Sequence, residues 1–313
     1  MAIALHLFLL VGALAVALVA SDRAVAYTRA LAADLGAPPF IVGVAIVSIG
    51  TDLPEIANSV AAHVQGEADV NVGDSVGSTL TQYTFVLGIF PLVIARIAID
   101  RLQVSLVTVL TVVGLGLTTL FVADGHLGRL DGVMLIAAWA LFTYLLVRAL
   151  PSEPPDNPPA VRFTKRSTQA AVIVTTLGFV AFGATVAVRS LVRLAELAGV
   201  PEFALAFFGA SFGTSAPEIL VDITALMRGA PQIALGDAMG SSLVDSTLSI
   251  GLGPTVVPGD VTRHLAVTGT VYSAVAVALV GALLVARKRH DRVSMPVLLG
   301  LYALAYVVLV AAE

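Results

Sequence analysis

Six carboxylate side chains lie inside long apolar stretches of the sequence. They are Asp52, Glu55, Asp74, Glu218, Asp237 and Asp245. An ionised carboxylate in the centre of a bilayer costs about 3 kcal/mol even on the mildest scale, so it persists only where it faces protein, a watery cavity or a cation. Carboxylate, hydroxyl and carbonyl oxygens are the ligands that hard cations prefer. The acidic residues therefore predict a cation site within a membrane.

Most of these carboxylates belong to motifs that occur twice. The segment GTDLPE at residues 50–55 recurs as GTSAPE at 213–218, and GDSVGS at 73–78 recurs as GDAMGS at 236–241. Both pairs are offset by 163 residues, because 213 − 50 and 236 − 73 give the same difference. The chain is therefore interpreted as two copies of one unit.

The motif residues also predict where ligand oxygens gather. Pro54 and Pro217 each remove a backbone donor inside an apolar stretch, so we expect a broken helix with freed carbonyl groups. Polar residues four apart share one face of a helix. Such pairs are Thr51 with Glu55, Thr214 with Glu218, Ser78 with Gln82, and Ser241 with Asp245. Each half is expected to bring two helix faces that carry oxygen ligands to the middle of the membrane.

Structural roles compete with ligand roles at several of these positions. Serine and threonine often bond to their own helix, and glycines four residues apart often form a packing face. We expect Asp74 and Asp237 to cap helix N-termini near the membrane edge. Glu55 and Glu218 are expected to be functional, because a carboxylate deep in an apolar span recurs in both copies.

The elements that must position these residues are membrane-spanning helices. Of 313 residues, 58% are apolar and 12% are charged, which excludes an ordinary soluble protein. Ten apolar stretches have the length of a span. They cover residues 2–20, 39–64, 69–95, 103–122, 130–150, 168–196, 202–227, 231–256, 264–286 and 293–311. The sequence thus predicts an all-α polytopic membrane protein with ten transmembrane helices.

The duplication predicts how these helices are organised. Residues 1–150 form the first five-helix repeat, with ligand motifs at 43–88, and residues 168–313 form the second, with ligand motifs at 206–251. Since five is odd, the second copy enters the membrane from the opposite side, which gives inverted repeats with broken helices at the midplane. Thirteen of 17 basic residues lie in loops on one side. We therefore expect a multi-pass cell-membrane protein with the proline-rich linker 151–167 in the cytoplasm and both termini outside.

Charge and composition limit the kinds of molecule that the protein is expected to bind. The net charge of −4 and the absence of a basic stripe argue against nucleic acid. The sequence contains no cysteine for a disulfide or a thiolate-bound metal, and it has no phosphate-binding loop for an ATP-driven pump. We expect inorganic cations and the lipid bilayer as partners, with no cofactor, no enzymatic activity and no obligatory protein partner.

The paired Gly-Thr-x-x-Pro-Glu and Gly-Ser-x-x-x-(Gln/Asp) motifs resemble the alpha repeats of the cation/Ca²⁺ exchanger superfamily, in particular its prokaryotic sodium/calcium exchangers. The resemblance covers the whole predicted topology and implies exchange of Ca²⁺ against Na⁺ by alternating access. It implies that Glu55 and Glu218 are the central ligands of both ions. The other oxygen ligands that it implies belong to Thr51, Thr214, Ser215, Ser78, Ser241, Gln82 and Asp245, with backbone carbonyls from Ser48 and Ser211.

The first repeat departs from the family pattern. Asp52 stands where the family usually has serine, and Gln82 where asparagine is more common. We count Asp52 among the predicted metal ligands, and its extra negative charge requires either more bound cation or a proton. The coupling ion, Na⁺ or H⁺, and the preferred divalent ion therefore stay open. A passive cation channel and an intramembrane aspartyl protease are remote alternatives.

Overall fold

The computed structural model describes residues 2–150, 161, 165–197 and 215–310. Regular structure in this part of the chain is helical apart from four short strands. Contacts divide the chain into two compact units. The first comprises Met1–Leu53 and Ser152–Asp237, and the second comprises Pro54–Pro151 and Ala238–Glu313. Each unit thus combines segments from both sequence repeats.

The first unit is built on two long helices, α1 (Ala2–Leu35) and α9 (Arg166–Leu197). They approach closely at Gly183, where an added Cβ would lie 2.8 Å from the carbonyl oxygen of Ala13. The unit also contains α2 (Pro39–Val42), the π-helical turn Gly43–Val47, α3 (Ser48–Thr51), α10 (Ala216–Met227) and the start of α11 (Pro231–Val244). The buried acidic residues of this unit lie on or next to these shorter elements.

The second unit contains the remaining helices and all four strands. Its helices are α4 (Leu53–Gln65, from Pro54), α5 (Ala68–Thr81), α6 (Leu87–Val93), α7 (Arg101–Val122), α8 (Arg129–Ala149), the end of α11, α12 (Ile250–Val256), α13 (Arg263–Arg287) and α14 (Met295–Val310). One apolar core includes Leu127, Leu135 and Ile250, none of which is exposed. Two π-helical turns, Gln82–Val86 and Asp245–Ser249, connect α5 to α6 and α11 to α12.

Two antiparallel strand pairs join loops of the second unit. β1 (Arg96–Ala98) pairs with β4 (Arg289–Asp291), and β2 (His126–Leu127) pairs with β3 (Gly259–Asp260). In β4, the imidazole of His290 is fully buried, with Nε2 2.6 Å from the Leu87 carbonyl oxygen. Burial lowers the pKa of His290, so the neutral ring donates this hydrogen bond near pH 7.

The bounds of several elements recur at the sequence offset of 163 residues. α5 and α11 both have 14 residues and begin at 68 and 231, and the π-helical turns begin at 82 and 245. The chain leaves the helical conformation at Asp52 (φ −76°, ψ 7°) and adopts nearly the same angles at Ser215 (φ −81°, ψ 8°). The duplicated sequence therefore folds into duplicated local structure.

Six helices among the described residues are long and apolar enough to cross a membrane, and a seventh span results if Pro39–Thr51 and Leu53–Gln65 are counted together. Large apolar side chains are exposed on these helices, including Phe8 (75%) and Leu130 (71%). Such faces are suited to lipid. The chain is thus an all-helical membrane protein, and part of the predicted span 202–227 lies outside the described residues.

Within the first unit, two glycines allow α11 to contact α2 and the π-helical turn that follows it. A Cβ on Gly43 would lie 2.7 Å from the carbonyl oxygen of Ile233, and one on Gly236 would collide with the carbonyl oxygen of Phe40. Because backbone atoms cannot yield as side-chain ends do, only glycine is tolerated at this crossing.

We predict that Gly236→Ala destabilises the purified protein by about 1–3 kcal/mol, the usual cost of overpacking. The matched control is Gly178→Ala on α9, where a Cβ meets no atom within 4 Å. Thermal unfolding in detergent should show a lower midpoint for Gly236→Ala only. Equal midpoints for the two variants would contradict the close crossing.

Candidate cation site

Both copies of the proline motif begin a helix just after a break. Pro54 follows Asp52, which terminates α3, and Pro217 lies within the first two positions of α10. Proline is tolerated in the first turn of a helix because the N–H groups there lack intrahelical partners. This places Glu55 in the first turn of α4 and Glu218 in the first turn of α10. The helix breaks predicted from the motif prolines are present.

Four carboxylates of the first unit are completely buried: Asp52, Glu218, Asp222 and Asp237. A carboxylate oxygen of Asp52 lies within 4.8 Å of one from Glu218. The Asp222 and Asp237 carboxyl groups are within hydrogen-bonding range of each other, and Asp52 acts on both electrostatically. So much negative charge without water is stable only with cations or protons bound.

Three hydroxyl groups at predicted ligand positions are buried in the unit that holds this acidic cluster. Thr51 Oγ1 lies 3.2 Å from Asp237 Oδ1 and 3.1 Å from the Ser48 carbonyl oxygen. The Ser48 hydroxyl donates to the carbonyl of Val44 at 2.5 Å, so it bonds to its own helix. The Ser215 hydroxyl is buried with no hydrogen-bond partner in the described chain. Thr51 and Ser215 therefore contribute oxygen atoms to the same unit as Asp52 and Glu218.

The second unit buries the other predicted ligands. Glu55, Gln82, Ser241 and Asp245 have no exposed surface, and Ser78 is 4% exposed. Gln82 and Asp245 each open a π-helical turn, a feature frequent at functional sites.

A hydroxyl that the sequence reading missed orients Gln82. Ser242 Oγ donates to Gln82 Oε1 at 2.9 Å, while Gln82 Nε2 has no partner in the described residues. Thr79 and Ser242, equivalent under the offset, also contact each other's carbonyl groups at 3.4–3.5 Å. The Thr79–Ser242 contact thus fixes the crossing of α5 and α11 beside Gln82.

The prediction that Asp74 and Asp237 cap helix N-termini is wrong. Each is the seventh residue of a 14-residue helix, because α5 starts at Ala68 and α11 at Pro231. The preceding motif glycine does not interrupt either helix. Asp74 instead accepts a hydrogen bond from Asn58 Nδ2 at 2.6 Å, and Asp237 accepts one from Thr51.

Two of the predicted ligands, Ser211 and Thr214, lie outside the described residues. Asp222 is not among the predicted ligands, and its counterpart in the first repeat is Ser59. Its position four residues after Glu218 was the available signal, since it puts both side chains on one face of α10. The π-helical turns, in contrast, leave no recognisable pattern in the sequence.

The chemistry of the donor set suits a hard cation. The carboxylates, hydroxyls and amide of the buried motif residues present oxygen atoms, and no cysteine or histidine belongs to the set. All-oxygen ligation favours Ca²⁺, Na⁺ or similar ions over Zn²⁺ or Cu²⁺. A helical membrane protein with such residues at duplicated helix breaks has the design of a secondary cation transporter.

Comparisons with known proteins identify the family. The chain belongs to the sodium/calcium exchanger protein family, whose profile matches residues 5–148 and 168–311. The putative antiporter CaxA of Alkalimonas amylolytica is 29% identical over 264 residues, which are 81% of each chain. The sodium/calcium exchanger MaX1 of Methanosarcina acetivorans is 24% identical, covering 76% of this chain and 79% of its own.

A solved structure shares the fold. The sodium-calcium exchanger NCX_Mj, soaked with Na⁺ and Sr²⁺, superimposes with a TM-score of 0.81 at 22% sequence identity, covering 97% of this chain and 99% of its own. The resemblance to sodium/calcium exchangers inferred from the motifs is confirmed. The protein is a cation/Ca²⁺ antiporter of the membrane and not an enzyme.

Proposed function

We propose that the protein exchanges Ca²⁺ for Na⁺ across the cell membrane by alternating access, with Glu55 and Glu218 as the central ligands. The observation that carries this proposal is the burial of Asp52 and Glu218 with carboxylate oxygens within 4.8 Å of each other. Glu55 follows Asp52 by three residues and holds the position in its repeat that Glu218 holds in the other. The relatives named as exchangers support the choice of ions.

The remaining ligands follow from the motifs and the family resemblance. We assign hydroxyl, amide or carboxylate oxygens to Thr51, Asp52, Thr214, Ser215, Ser78, Ser241, Gln82 and Asp245, and backbone carbonyls to Ser48 and Ser211. The burial of those that lie in the described chain supports this assignment. Carboxylate, hydroxyl, amide and carbonyl oxygens are the ligands that hard cations such as Ca²⁺ and Na⁺ prefer.

Competition for one set of oxygens would produce the exchange. One Ca²⁺ or two Na⁺ neutralise a pair of glutamates, so either ion excludes the other. An empty site leaves ionised carboxylates without a bound cation, and enclosing these in a dry intermediate is costly. The transporter therefore changes sides only when loaded, which couples the two fluxes.

Proton coupling is the second candidate, and Asp52 is the observation that favours it. This carboxylate is buried near Glu218 and acts electrostatically on Asp222 and Asp237. Like charges at such range favour uptake of a positive charge, and a proton serves as well as a metal ion. The same site would then exchange H⁺ for Ca²⁺ or another divalent ion.

The predicted ten-helix inverted topology gains support from the strand pairs. The positive-inside rule assigns β2 and β3 to loops outside the cell, and β1 and β4 to loops on the cytoplasmic side. The pairing of β2 with β3 and of β1 with β4 joins only loops assigned to the same side. We propose that the linker 151–167 is cytoplasmic and that both termini are outside.

Replacing a central ligand should abolish transport. We predict that Glu55→Gln or Glu218→Gln lowers ⁴⁵Ca²⁺ uptake into Na⁺-loaded proteoliposomes by about 100-fold or more, since even residues that only support a metal ligand are worth 10–100-fold. Glu67→Gln, the same change at an exposed position, should transport normally. Full uptake by either variant would refute the central assignment.

The coupling ion is tested by restoring the residue typical of the family. If Na⁺ is the coupling ion, Asp52→Ser should still take up Ca²⁺ under a Na⁺ gradient, with a changed number of Na⁺ ions per Ca²⁺. If H⁺ is the coupling ion, uptake in the wild type should follow a proton gradient and be lost in Asp52→Ser. Parallel ⁴⁵Ca²⁺ assays under equal gradients of the two ions separate these results.

The orientation can be measured because the chain contains no cysteine. We introduce Asp260→Cys in the β3 loop and Arg292→Cys after β4, both at exposed positions. In intact cells, a membrane-impermeant maleimide should label Asp260→Cys, and it should label Arg292→Cys only after permeabilisation. The reverse pattern would invert the proposed topology, and labelling of both in intact cells would contradict the assigned sides.

A further inference from the structure

Asp222 and Asp237 form a pair of buried carboxyl groups that the motif ligands do not include. The two groups are within hydrogen-bonding range of each other, and both side chains are completely buried in the first unit. Neither oxygen of Asp222 accepts a hydrogen bond from an N–H or O–H group of the described residues. Asp237 Oδ1 is contacted by Thr51 Oγ1, while Asp237 Oδ2 likewise lacks a donor. Three carboxylate oxygens of this pair are therefore buried without a donor among the described residues.

The equivalent residues of the first repeat do have protein donors or acceptors. Asp74, the counterpart of Asp237, accepts a 2.6 Å hydrogen bond from Asn58. Ser59, the counterpart of Asp222, accepts one from the backbone N–H of Gly253 at 2.9 Å. In the second repeat, Val221 replaces Asn58, so the amide donor is missing and an acid is added beside it.

The missing partner must be positive and must contact several oxygens. A single proton shared by the two carboxyl groups satisfies one oxygen–oxygen contact and leaves the other free oxygens without a partner. A metal cation placed between the groups can contact oxygens of both carboxyl groups at once. Ca²⁺ takes six to eight oxygen ligands, which is at least twice the three free carboxylate oxygens here. Na⁺, a monovalent hard cation that takes fewer oxygen ligands than Ca²⁺, fits this sparse set better.

We propose that Asp222 and Asp237 form a separate Na⁺ site, present only in the second repeat. The inference rests on the proposed Na⁺/Ca²⁺ exchange and deepens it by assigning one coupling Na⁺ to residues outside the motif ligands. Thr51 links the site to the motif, because its hydroxyl contacts Asp237 and its neighbour in the chain is Asp52. The close crossing at Gly43 and Gly236 holds this part of α11 in place.

The first test measures ²²Na⁺ binding to purified protein at constant pH. Asp222→Asn should lower the number of bound Na⁺ by one or raise the half-saturating Na⁺ concentration by about tenfold or more. Thr224→Val is the matched control: it lies two residues away on α10, and its hydroxyl bonds only to the Leu220 carbonyl of its own helix. This control should bind Na⁺ like the wild type.

A second variant guards against misfolding of the first. The double change Val221→Asn with Asp222→Ser gives α10 the Asn-Ser pair that α4 carries at 58–59, so the helix is known to accept both residues. The new amide can donate to Asp237 as Asn58 does to Asp74. This variant should lose the same Na⁺ while remaining monodisperse.

The outcomes separate this inference from the proposed function. Loss of Na⁺ binding in both variants supports the site, even if the wild type fails to exchange Ca²⁺ for Na⁺, a result that would refute only the proposed function. Wild-type Na⁺ binding by a folded variant overturns the site. Unchanged Na⁺ binding together with altered proton release on Ca²⁺ addition also overturns it, because the pair would then hold a proton.

Discussion

The structure depends on the cost of removing carboxylates from water. A buried charge without compensation is among the most destabilising features a protein can contain, and the described chain buries six acidic side chains completely. Hydrophobic packing cannot offset this cost locally, because apolar neighbours only lower the dielectric further. Cations bound at these sites would offset the cost of burying the acids. Ion binding and conformational stability are therefore expected to be coupled in this protein. In the proposed mechanism, the same constraint prevents an unloaded transporter from closing around its site.

The helix breaks, the buried glutamates and the family could be predicted from residue spacing, because the motifs that indicate them occur twice. A proline four residues after a glycine inside an apolar stretch is ambiguous, but Pro54 and Pro217 at one offset make a helix break the consistent interpretation. The buried position of Glu55 and Glu218 and the membership of the sodium/calcium exchanger family followed from the same duplication. Duplication thus supplied the comparison that an alignment of related chains normally gives.

The features that the sequence predicted wrongly or missed share a physical cause. They depend on where a helix starts and on how it packs against segments distant in the sequence. Asp74 and Asp237 were expected to cap helices because they lie near the predicted membrane edge, one turn before Ser78 and Ser241, yet α5 and α11 begin six residues earlier and continue through both. Ser242 was overlooked because its role depends on the packing of α11 against α5. The π-helical turns depend on a register change that no residue type encodes.

The differences between the repeats matter as much as their likeness. If both repeats had identical side chains, their cation sites would be equivalent. The number of cations bound by one repeat could then not differ from the number bound by the other. Here the first repeat satisfies Asp74 with Asn58 and uses Ser59 to hold the backbone of Gly253. The second places Val221 and Asp222 at these positions and leaves an acidic pair with three oxygens that have no donor among the described residues. If Na⁺ occupies this pair as proposed, an asymmetry of two residues sets how many positive charges move against each Ca²⁺.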